Sequence, residues 1–302
     1  MIIERQHFQG AADPQRMAGL VRSFPADNLH VADLPYRLCS WALDDHGNIG
    51  LWTGNNGDLV AWAVLQTPFV AIDIVVHPAC ADAFPHVLDW ADARAKSLVG
   101  TPHGLSSWYV NVFAGQSDRI RHLEAAGFAS QADVGEDSWS KVLLRRPATE
   151  PVDGGTLPEG YLIRPLAGDA EVEAYVEMHR EVFQSRNMTV EWRRRVLRHP
   201  DYVPQLDLVA VSPSGQLAAF CICWLDTRSQ RAPSGQVEPF GARSLGLGRA
   251  MLAEGMRRLQ QFGAEHIYVE TDNYRNAALK RYTADGFRTV GDVLVYRKDY
   301  GT

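Results

Sequence analysis

The sequence is poor in several features that define whole classes of protein. It has only 4 cysteines, and no apolar stretch approaches the ~20 residues that a membrane-spanning helix needs. Its first residues, MIIERQHF, lack the basic-then-apolar order of a secretory signal, so we expect a cytoplasmic protein with no membrane partner. Positive charge is also in deficit, because the formal net charge is −6, which argues against a nucleic-acid partner.

The cysteines do not form a pattern that indicates disulfides or a metal site. Cys221 and Cys223 lie two residues apart in an apolar run, where a strand would place both side chains on one face and aim them poorly for bridging. No second Cys/His pair stands at ligand spacing. We therefore expect buried thiols in a reducing compartment and no metal cofactor.

The chain has the length and composition of two ordinary globular domains, and it contains an internal repeat. Residues 125–128 (AAGF) match residues 284–287 (ADGF) at a spacing of 159, and Tyr109 and Val110 match Tyr268 and Val269 at the same spacing. Residues 57–62 (GDLVAW) match residues 215–220 (GQLAAF) at a spacing of 158. Between the copies, residues 145–160 (RRPATEPVDGGTLPEG) have the proline- and glycine-rich composition of a linker. We predict domains over 1–147 and 160–302, joined by 148–159.

The second half alternates between helical and strand patterns. Helical spacing is clear in 247–262, where Met251, Leu252, Met256 and Leu259 share one side. The predicted order is β-α-α-β-β-β-α-β-α-β, which indicates an α/β fold with a mixed sheet that the last strand closes. The predicted strands are 161–164, 206–211, 217–224, 236–240, 266–269 and 290–296, and the predicted helices are 169–183, 190–197, 247–262 and 276–285.

A glycine-containing turn joins strand 236–240 to helix 247–262. Its glycines, at 246 and 248, let backbone N–H groups approach a ligand, and the positive end of the helix lies at the same place. This arrangement suits a phosphate group, and Arg243 and Arg249 add positive charge. A Walker loop is excluded because an arginine follows the second glycine, and a dinucleotide fingerprint because Met251 stands at the third glycine position. A plain turn with a helix cap is the structural alternative.

The pattern R-x-x-G-x-G at 243–248, before an amphipathic helix, resembles the pyrophosphate loop of the GNAT (GCN5-related N-acetyltransferase) superfamily. Downstream, Ala278 precedes Tyr282 by four residues and a Gly-Phe pair follows at 286–287, as in that family. The resemblance covers essentially the whole second half. Two departures are Arg275, which stands where the family usually has an asparagine, and the link before the loop, which is a few residues shorter than in many members.

The resemblance implies an N-acetyltransferase in which an amine attacks the thioester of acetyl-CoA directly. It implies that Tyr282 protonates the leaving thiolate and that Glu238 takes the proton of the amine, with Glu270 as a second candidate base. The alternatives are a core tyrosine, a solvated or ion-paired strand glutamate, and a glutamate that caps or faces solvent. The residues expected to hold coenzyme A are Pro239, Phe240, Arg243, Ser244, Leu245, Gly246, Leu247, Gly248, Arg249, Ala250 and Asn276.

The first half resembles the same fold without its cofactor chemistry. Residues 79–84 (ACADAF) replace the glycine loop, and Leu123 stands where the second half has Tyr282. The chain is thus similar to tandem members of the family, with two GNAT-like domains that each have a mixed, mostly antiparallel sheet flanked by helices. Six of the 8 tryptophans lie in the first half, and one or two of them could line a cleft between the domains.

Three functions are open at this point. The first is acetylation of a primary amine on a small molecule, with the first domain shaping the acceptor site. The second is a non-catalytic acyl-CoA-binding or regulatory protein, and the third is a peptide N-acetyltransferase. Retention of both the loop and Tyr282 favours the first, and a closed cleft between the domains would favour it over the third. We expect a monomer or a homodimer.

Overall fold

The computed structural model of the chain describes residues 3–10, 12–101, 104–132, 134–135, 138–243 and 246–301. Two of the predicted cofactor residues, Ser244 and Leu245, lie outside these ranges. Among the described residues, no helix is both long enough and apolar enough to cross a lipid bilayer.

Both halves follow the same order of helices and strands, apart from a short extra strand in the first. The first half contains β1 (Glu4–Gln6), α1 (Asp13–Ser23), α2 (Leu34–Leu38), β2 (Ile49–Thr53), β3 (Leu59–Gln66), β4 (Ala71–Val76), α3 (Phe84–Leu98), β5 (Ser107–Phe113), α4 (Ser117–Ala125), β6 (Ala129–Ser130) and β7 (Ser140–Pro147). The second half contains β8 (Leu162–Pro165), α5 (Val172–Phe183), α6 (Val190–Arg198), β9 (Asp207–Val211), β10 (Leu217–Asp226), β11 (Ser234–Ala242), α7 (Leu247–Gln261), β12 (His266–Asp272), α8 (Asn276–Ala284) and β13 (Arg288–Asp299). The predicted helices and strands of the second half are all present in the predicted order.

The strands of both halves form one continuous sheet, in which the last strand of each half has crossed to the other half. The order is β1-β2-β3-β4-β5-β13-β7-β12-β11-β10-β9-β8, and β6 pairs with β13. β13 pairs antiparallel with β5, from Val293 opposite Phe113 to Asp299 opposite Ser107, and β7 pairs antiparallel with β12. The prediction that residues 290–296 close the sheet of the second half is therefore wrong, because β7 of the first half occupies that edge of β12.

The segment between the halves is anchored rather than loose. Arg145 and Arg146 belong to β7, so the linker begins later than its composition indicates. The Arg146 guanidinium is buried and donates to the carbonyl of Asp285 at 2.7 Å and to those of Glu150 and Pro151 at 2.9 and 3.1 Å. These bonds fasten the start of the linker to the end of α8.

Helices cover both faces of the sheet in each half. α1 and α2 pack on one face of the first half and α3 and α4 on the other, and α5 to α8 repeat this arrangement in the second half. α2 also contacts the second half: Trp192 Nε1 donates to the Tyr36 carbonyl at 3.0 Å, and the Tyr36 hydroxyl lies 3.3 Å from His179 Nε2. The two halves thus share a packed interface as well as a sheet.

The thiols of Cys221 and Cys223 explain why α7 carries a glycine on its buried side. A Cβ added at Gly255 would lie 2.8 and 2.9 Å from their sulfur atoms, which is closer than real contacts allow. The two sulfur atoms are 3.7 Å apart and not bonded. The prediction of buried thiols is confirmed, since Cys39 and Cys80 are buried as well.

A buried ion pair joins α6 to β9. Arg193 and Asp207 are both fully buried and in direct contact, and the Tyr202 hydroxyl donates to the same carboxylate at 2.7 Å. The guanidinium also lies 4.0 Å from the ring centre of Tyr175. Removal of one partner from such a pair leaves the other charge buried without compensation.

We predict that Asp207→Ala lowers the free energy of unfolding by about 3–5 kcal/mol, because the Arg193 guanidinium is left buried and unpaired. Asp169→Ala is the matched control, since it removes an exposed carboxylate that pairs with Arg194 on the surface, and it should have little effect. Urea denaturation followed by circular dichroism measures both variants. Equal losses of stability would contradict this account of the pair.

Candidate active site

Two neighbouring strands of the second half separate partway along their length. β11 and β12 pair in parallel over a register that ends with Gln236 opposite Tyr268. Beyond this register β11 continues to Ala242 and β12 to Asp272. The two strands therefore form the walls of a wedge that opens toward their carboxyl ends.

The wedge brings the three candidate catalytic residues together. Glu238 and Glu270 each lie two residues beyond the end of the parallel register, on opposite walls. Tyr282 of α8 reaches the same space, and all three line one cavity of about 240 Å³ between the halves. The first half supplies much of the remaining wall, including His30, Asp33, Tyr36, Arg37, Trp139 and Lys141.

Glu238 has an environment unlike that of a surface glutamate. Burial raises the pKa of its carboxyl to about 7, and the negative charges of Asp33 and Glu270 add to this rise. Lys141 and His30 act in the opposite direction without cancelling it. Near neutral pH the carboxyl is therefore poised to accept a proton or to release one.

Glu270, on the facing wall, is held as an anion. Lys141 Nζ lies 2.7 Å from a carboxylate oxygen of Glu270 and 3.9 Å from one of Asp272. Burial alone would raise the pKa of Glu270, but the positive charges of Lys141 and His30 outweigh burial and lower it. The two carboxyl groups of the wedge thus differ in protonation, because one has a direct cationic partner and the other titrates near neutrality.

Tyr282 is a core residue with one side on the cavity. It is 8% exposed, and its ring packs edge-on against Phe287 with 5.6 Å between the ring centres. Burial, reinforced by the negative charge of Glu238, raises the pKa of the phenol above its ordinary value. The side chain therefore keeps its proton at neutral pH and can donate it. The two interpretations of Tyr282 from the sequence, core residue and acid, are compatible in this position.

In the predicted coenzyme A loop, the first turn of α7 has no side-chain cap, and its backbone N–H groups remain available. Gly246 is the N-cap residue at φ 96°, a conformation that favours glycine, and it has no side chain to cap the first turn. A Cβ added at Gly248 would lie 3.6 Å from Phe240 Cζ. Leu247 and Ala250 are buried in the core, so they can offer a ligand only their backbone N–H groups. This helix start suits a phosphate group.

The two arginines of the loop contact carboxylates of the protein itself. Arg243 Nη2 lies 2.6 Å from Glu181, and Nη1 donates to the Leu217 carbonyl at 2.9 Å. Arg249 Nη2 lies 2.6 Å from Asp153 of the linker. Both ion pairs are partly exposed to solvent, so they are weak, and either guanidinium can be drawn to a stronger anion.

The other predicted cofactor residues lie around the wedge. Pro239 is buried in β11 directly after Glu238, and Phe240 lines the cavity. Asn276 is exposed at the first position of α8, and its backbone N–H donates to the Tyr274 carbonyl at 2.9 Å.

Comparisons with known proteins bear on the fold and on the class of the chain. No protein-family model matches the chain. The chain is 28% identical over 248 residues to mycothiol acetyltransferase of Salinispora tropica, across 77% of the chain and 75% of that relative. A GCN5-related N-acetyltransferase from Sphaerobacter thermophilus superposes with a TM-score of 0.64 at 18% identity, over 98% of this chain and 95% of that one. A tandem GNAT protein from the clavulanic acid biosynthesis pathway gives a TM-score of 0.61 at 12% identity, over 100% and 99%.

The chain has a tandem GNAT fold and a sequence similar to that of acetyltransferases. Its two GNAT halves differ at the place where a cofactor loop would stand. In the first half this place is the turn Pro78–Ala83, where His77 Nδ1 accepts the Ala79 N–H at 3.0 Å. At the start of α3, the Arg119 guanidinium lies 5.4 Å from the ring centre of Phe84. No glycine stands among residues 79–84 at this helix start, whereas Gly246 and Gly248 stand at the start of α7.

In the first GNAT half, the two described residues at the equivalent wedge positions offer no carboxyl without a cationic partner. Two residues beyond the parallel pairing of β4 with β5 stand Asp73 and Asn111, the counterparts of Glu238 and Glu270. Arg37 donates to both oxygens of Asp73, at 2.9 and 2.7 Å. A carboxylate that accepts two hydrogen bonds from one guanidinium is a poor base. The side-chain amide of Asn111 cannot act as a base at all.

Sequence analysis missed the residues that the first half contributes to the cavity of the second. Lys141 reaches Glu270 because β7 has crossed to β12, and Trp139 Nε1 donates to Asp272 at 2.9 Å. The sequence does contain one signal, since Lys141 precedes the apolar run 142–144 on a strand. That pattern does not identify the neighbouring strand. The expectation that a tryptophan lines the cleft between the halves is confirmed by Trp139.

Proposed function

We propose that the protein transfers the acetyl group of acetyl-CoA to a primary amine of a small molecule. The observation that carries this proposal is the joint placement of a near-neutral carboxyl, Glu238, and a protonated phenol, Tyr282, in one cavity beside the glycine start of α7. In this proposal residues 160–302 bind the coenzyme, residues 1–147 shape the acceptor side, and residues 148–159 link them.

Acetyl-CoA would bind with its pyrophosphate at the start of α7. Backbone N–H groups after Gly246 and the positive end of the helix favour the anion there. The glycine at 248 leaves room beside Phe240 for the chain that leads into the wedge. The thioester would then lie between β11 and β12, where a backbone N–H group of Glu238, Phe240 or Gly241 would stabilise the oxyanion, since Pro239 has none.

The proton transfers follow from the two side chains. Glu238 accepts a proton from the ammonium group, whose free pKa is about 10, so that the neutral amine can attack the thioester carbon. The C–N bond forms, the nitrogen releases its second proton to water, the tetrahedral intermediate collapses, and the C–S bond breaks. Glu238 then releases the first proton to solvent. Tyr282 donates its proton to the departing thiolate and recovers one from solvent. The products are the N-acetylated amine and free coenzyme A.

The cavity suits a cationic acceptor. One carboxylate oxygen of Asp33 and one of Glu270 are buried and accept no hydrogen bond among the described residues. Such acceptors favour a ligand rich in N–H or O–H donors. Since the cavity is closed in by both halves, it favours a small molecule over a peptide. The curated relative named above is a mycothiol acetyltransferase, and that name supports a small acceptor as well.

We predict that the protein binds one equivalent of acetyl-CoA per chain in isothermal titration calorimetry, and that Gly248→Trp abolishes this binding. The indole would fill the space beside Phe240 that the coenzyme needs. Gly19→Trp is the matched control, because Gly19 is an exposed glycine of α1 with no atom within 4 Å of an added Cβ.

Absence of binding by the wild type, or equal binding by Gly248→Trp, would rule out this cofactor site. Binding without release of the coenzyme A thiol across a broad screen of primary amines would instead favour the non-catalytic acyl-CoA-binding function.

We predict that kcat/KM for acetylation falls as the pH drops through about 7, because Glu238 becomes protonated and can no longer act as a base. Glu238→Gln should lower kcat/KM by about 10²–10⁴-fold and remove this dependence on Glu238. Thiol release measured between pH 5 and pH 9 at ~0.5 intervals tests both statements.

The variant Glu270→Gln distinguishes the role of the Glu270 carboxyl from that of Glu238. The negative charge of Glu270 raises the pKa of Glu238, so its removal should move the fall in activity to lower pH while activity persists. If Glu270→Gln abolished activity and Glu238→Gln did not, the roles assigned to the two residues would be reversed.

A further inference from the structure

An open groove of about 720 Å³ lies on the face of the sheet that carries Glu270, near the amino end of β12. Arg145 of β7 and His266 and Tyr268 of β12 line it, together with Arg231 from the connection between β10 and β11. Both halves therefore contribute cations to one concave surface. We call it the basic groove.

Arg145 lines the basic groove and lies beside a second arginine on the neighbouring strand. Arg145 stands directly opposite Arg288 in the antiparallel pairing of β7 with β13, so the two side chains share a face. Neither guanidinium has a carboxylate within 4.0 Å among the residues that the structure describes. Like charges directly opposite in neighbouring strands repel each other. An anion bound to Arg145 in the groove would lessen this cost.

Two further groups of the basic groove lack partners in the described part of the chain. Arg231 lines the basic groove, and its side chain forms no ion pair with the described residues. His266 Nδ1 is buried and has no hydrogen-bond partner. Two carboxylates, Asp27 and Asp292, also line the groove. Buried polar atoms without partners are rare in folded proteins, and they commonly mark a bound water, ion or ligand.

We propose that the basic groove binds a phosphate or carboxylate group of a small molecule. Guanidinium groups bind both anions through paired N–H donors, and this geometry explains why arginines converge here in a chain whose net charge is −6. No residue of the groove belongs to the coenzyme loop or to the three candidate catalytic residues. The site is therefore distinct from the start of α7.

The basic groove and the cavity of Glu238 are neighbours on one face of the sheet. His266 and Glu270 are four residues apart on β12, which corresponds to about 13 Å along a strand. A separate small cavity of about 20 Å³ shares Tyr268 with the basic groove and Gln236 with the cavity of Glu238. The anion can thus be the distal group of the acceptor itself, which rests on the proposed function, or it can belong to a separate small molecule.

The test uses inorganic phosphate as the probe and the thermal midpoint as the readout. All proteins carry Gly248→Trp, so that any phosphate bound at the start of α7 is common to every variant compared, and sodium phosphate is varied at constant ionic strength. We expect phosphate to raise the midpoint in this background. Addition of Arg145→Gln and Arg231→Gln should weaken the apparent phosphate affinity at least ~10-fold, as expected when two charge-assisted contacts are lost.

The matched control is Arg121→Gln with Arg198→Gln, which removes the same charge from side chains that are each 69% exposed. It should leave the phosphate effect unchanged. Arg145→Gln alone should raise the midpoint in phosphate-free buffer, because it removes the repulsion from Arg288, and this result also shows that the variant folds. An equal phosphate effect in the two double variants, or none in the parent, overturns the proposal.

In the otherwise wild-type enzyme, competition of phosphate with the amine would identify the anion as part of the acceptor. A change in kcat without competition would identify a separate molecule. The proposed function fails independently of this test if acetyl-CoA does not bind the wild type.

Discussion

The reciprocal exchange of β7 and β13 is the constraint on which the rest of the structure depends. Because β7 lies beside β12, it brings Lys141 within 2.7 Å of Glu270 and lets the first half form a wall of the second half's cavity. Because β13 lies beside β5, the first half cannot complete its sheet without the last residues of the chain. Neither half contains its own full sheet, so the first half is a structural part of the candidate site and not an appendage.

This arrangement also gives the two carboxyls of the wedge different chemistry. They stand at equivalent positions beyond the parallel register, and their counterparts in the first half are Asp73 and Asn111. What separates them is the cation supplied by the exchanged strand, which holds Glu270 ionised while burial raises the pKa of Glu238. In the first half Arg37 takes the equivalent cationic role on Asp73 itself. One fold with the same register thus gives one wedge whose carboxyl has a raised pKa, at Glu238, and one whose carboxylate is hydrogen-bonded to an arginine, at Asp73.

Much of the second half could be predicted from sequence, because its signals are local. The glycine turn, the amphipathic helix that follows it and the spacing from Tyr282 to Phe287 all depend on residues near one another in the chain. The strand exchange could not be predicted in this way, because alternation of apolar and polar residues specifies a strand and its faces but not its neighbour. Lys141 was missed for the same reason. The pairing of Arg243 with Glu181 was also missed, since it joins α5 to the loop across a long sequence separation.

The central claim is that the chain has one working wedge, formed by β11 and β12 and completed by the first half. A crystal structure of the protein with acetyl-CoA tests it most directly. The account predicts one coenzyme per chain, with its pyrophosphate at the start of α7, its thioester between β11 and β12, and the Tyr282 hydroxyl directed at the sulfur atom. A coenzyme bound in the first-half wedge between β4 and β5, or one placed away from Glu238 and Tyr282, would contradict it.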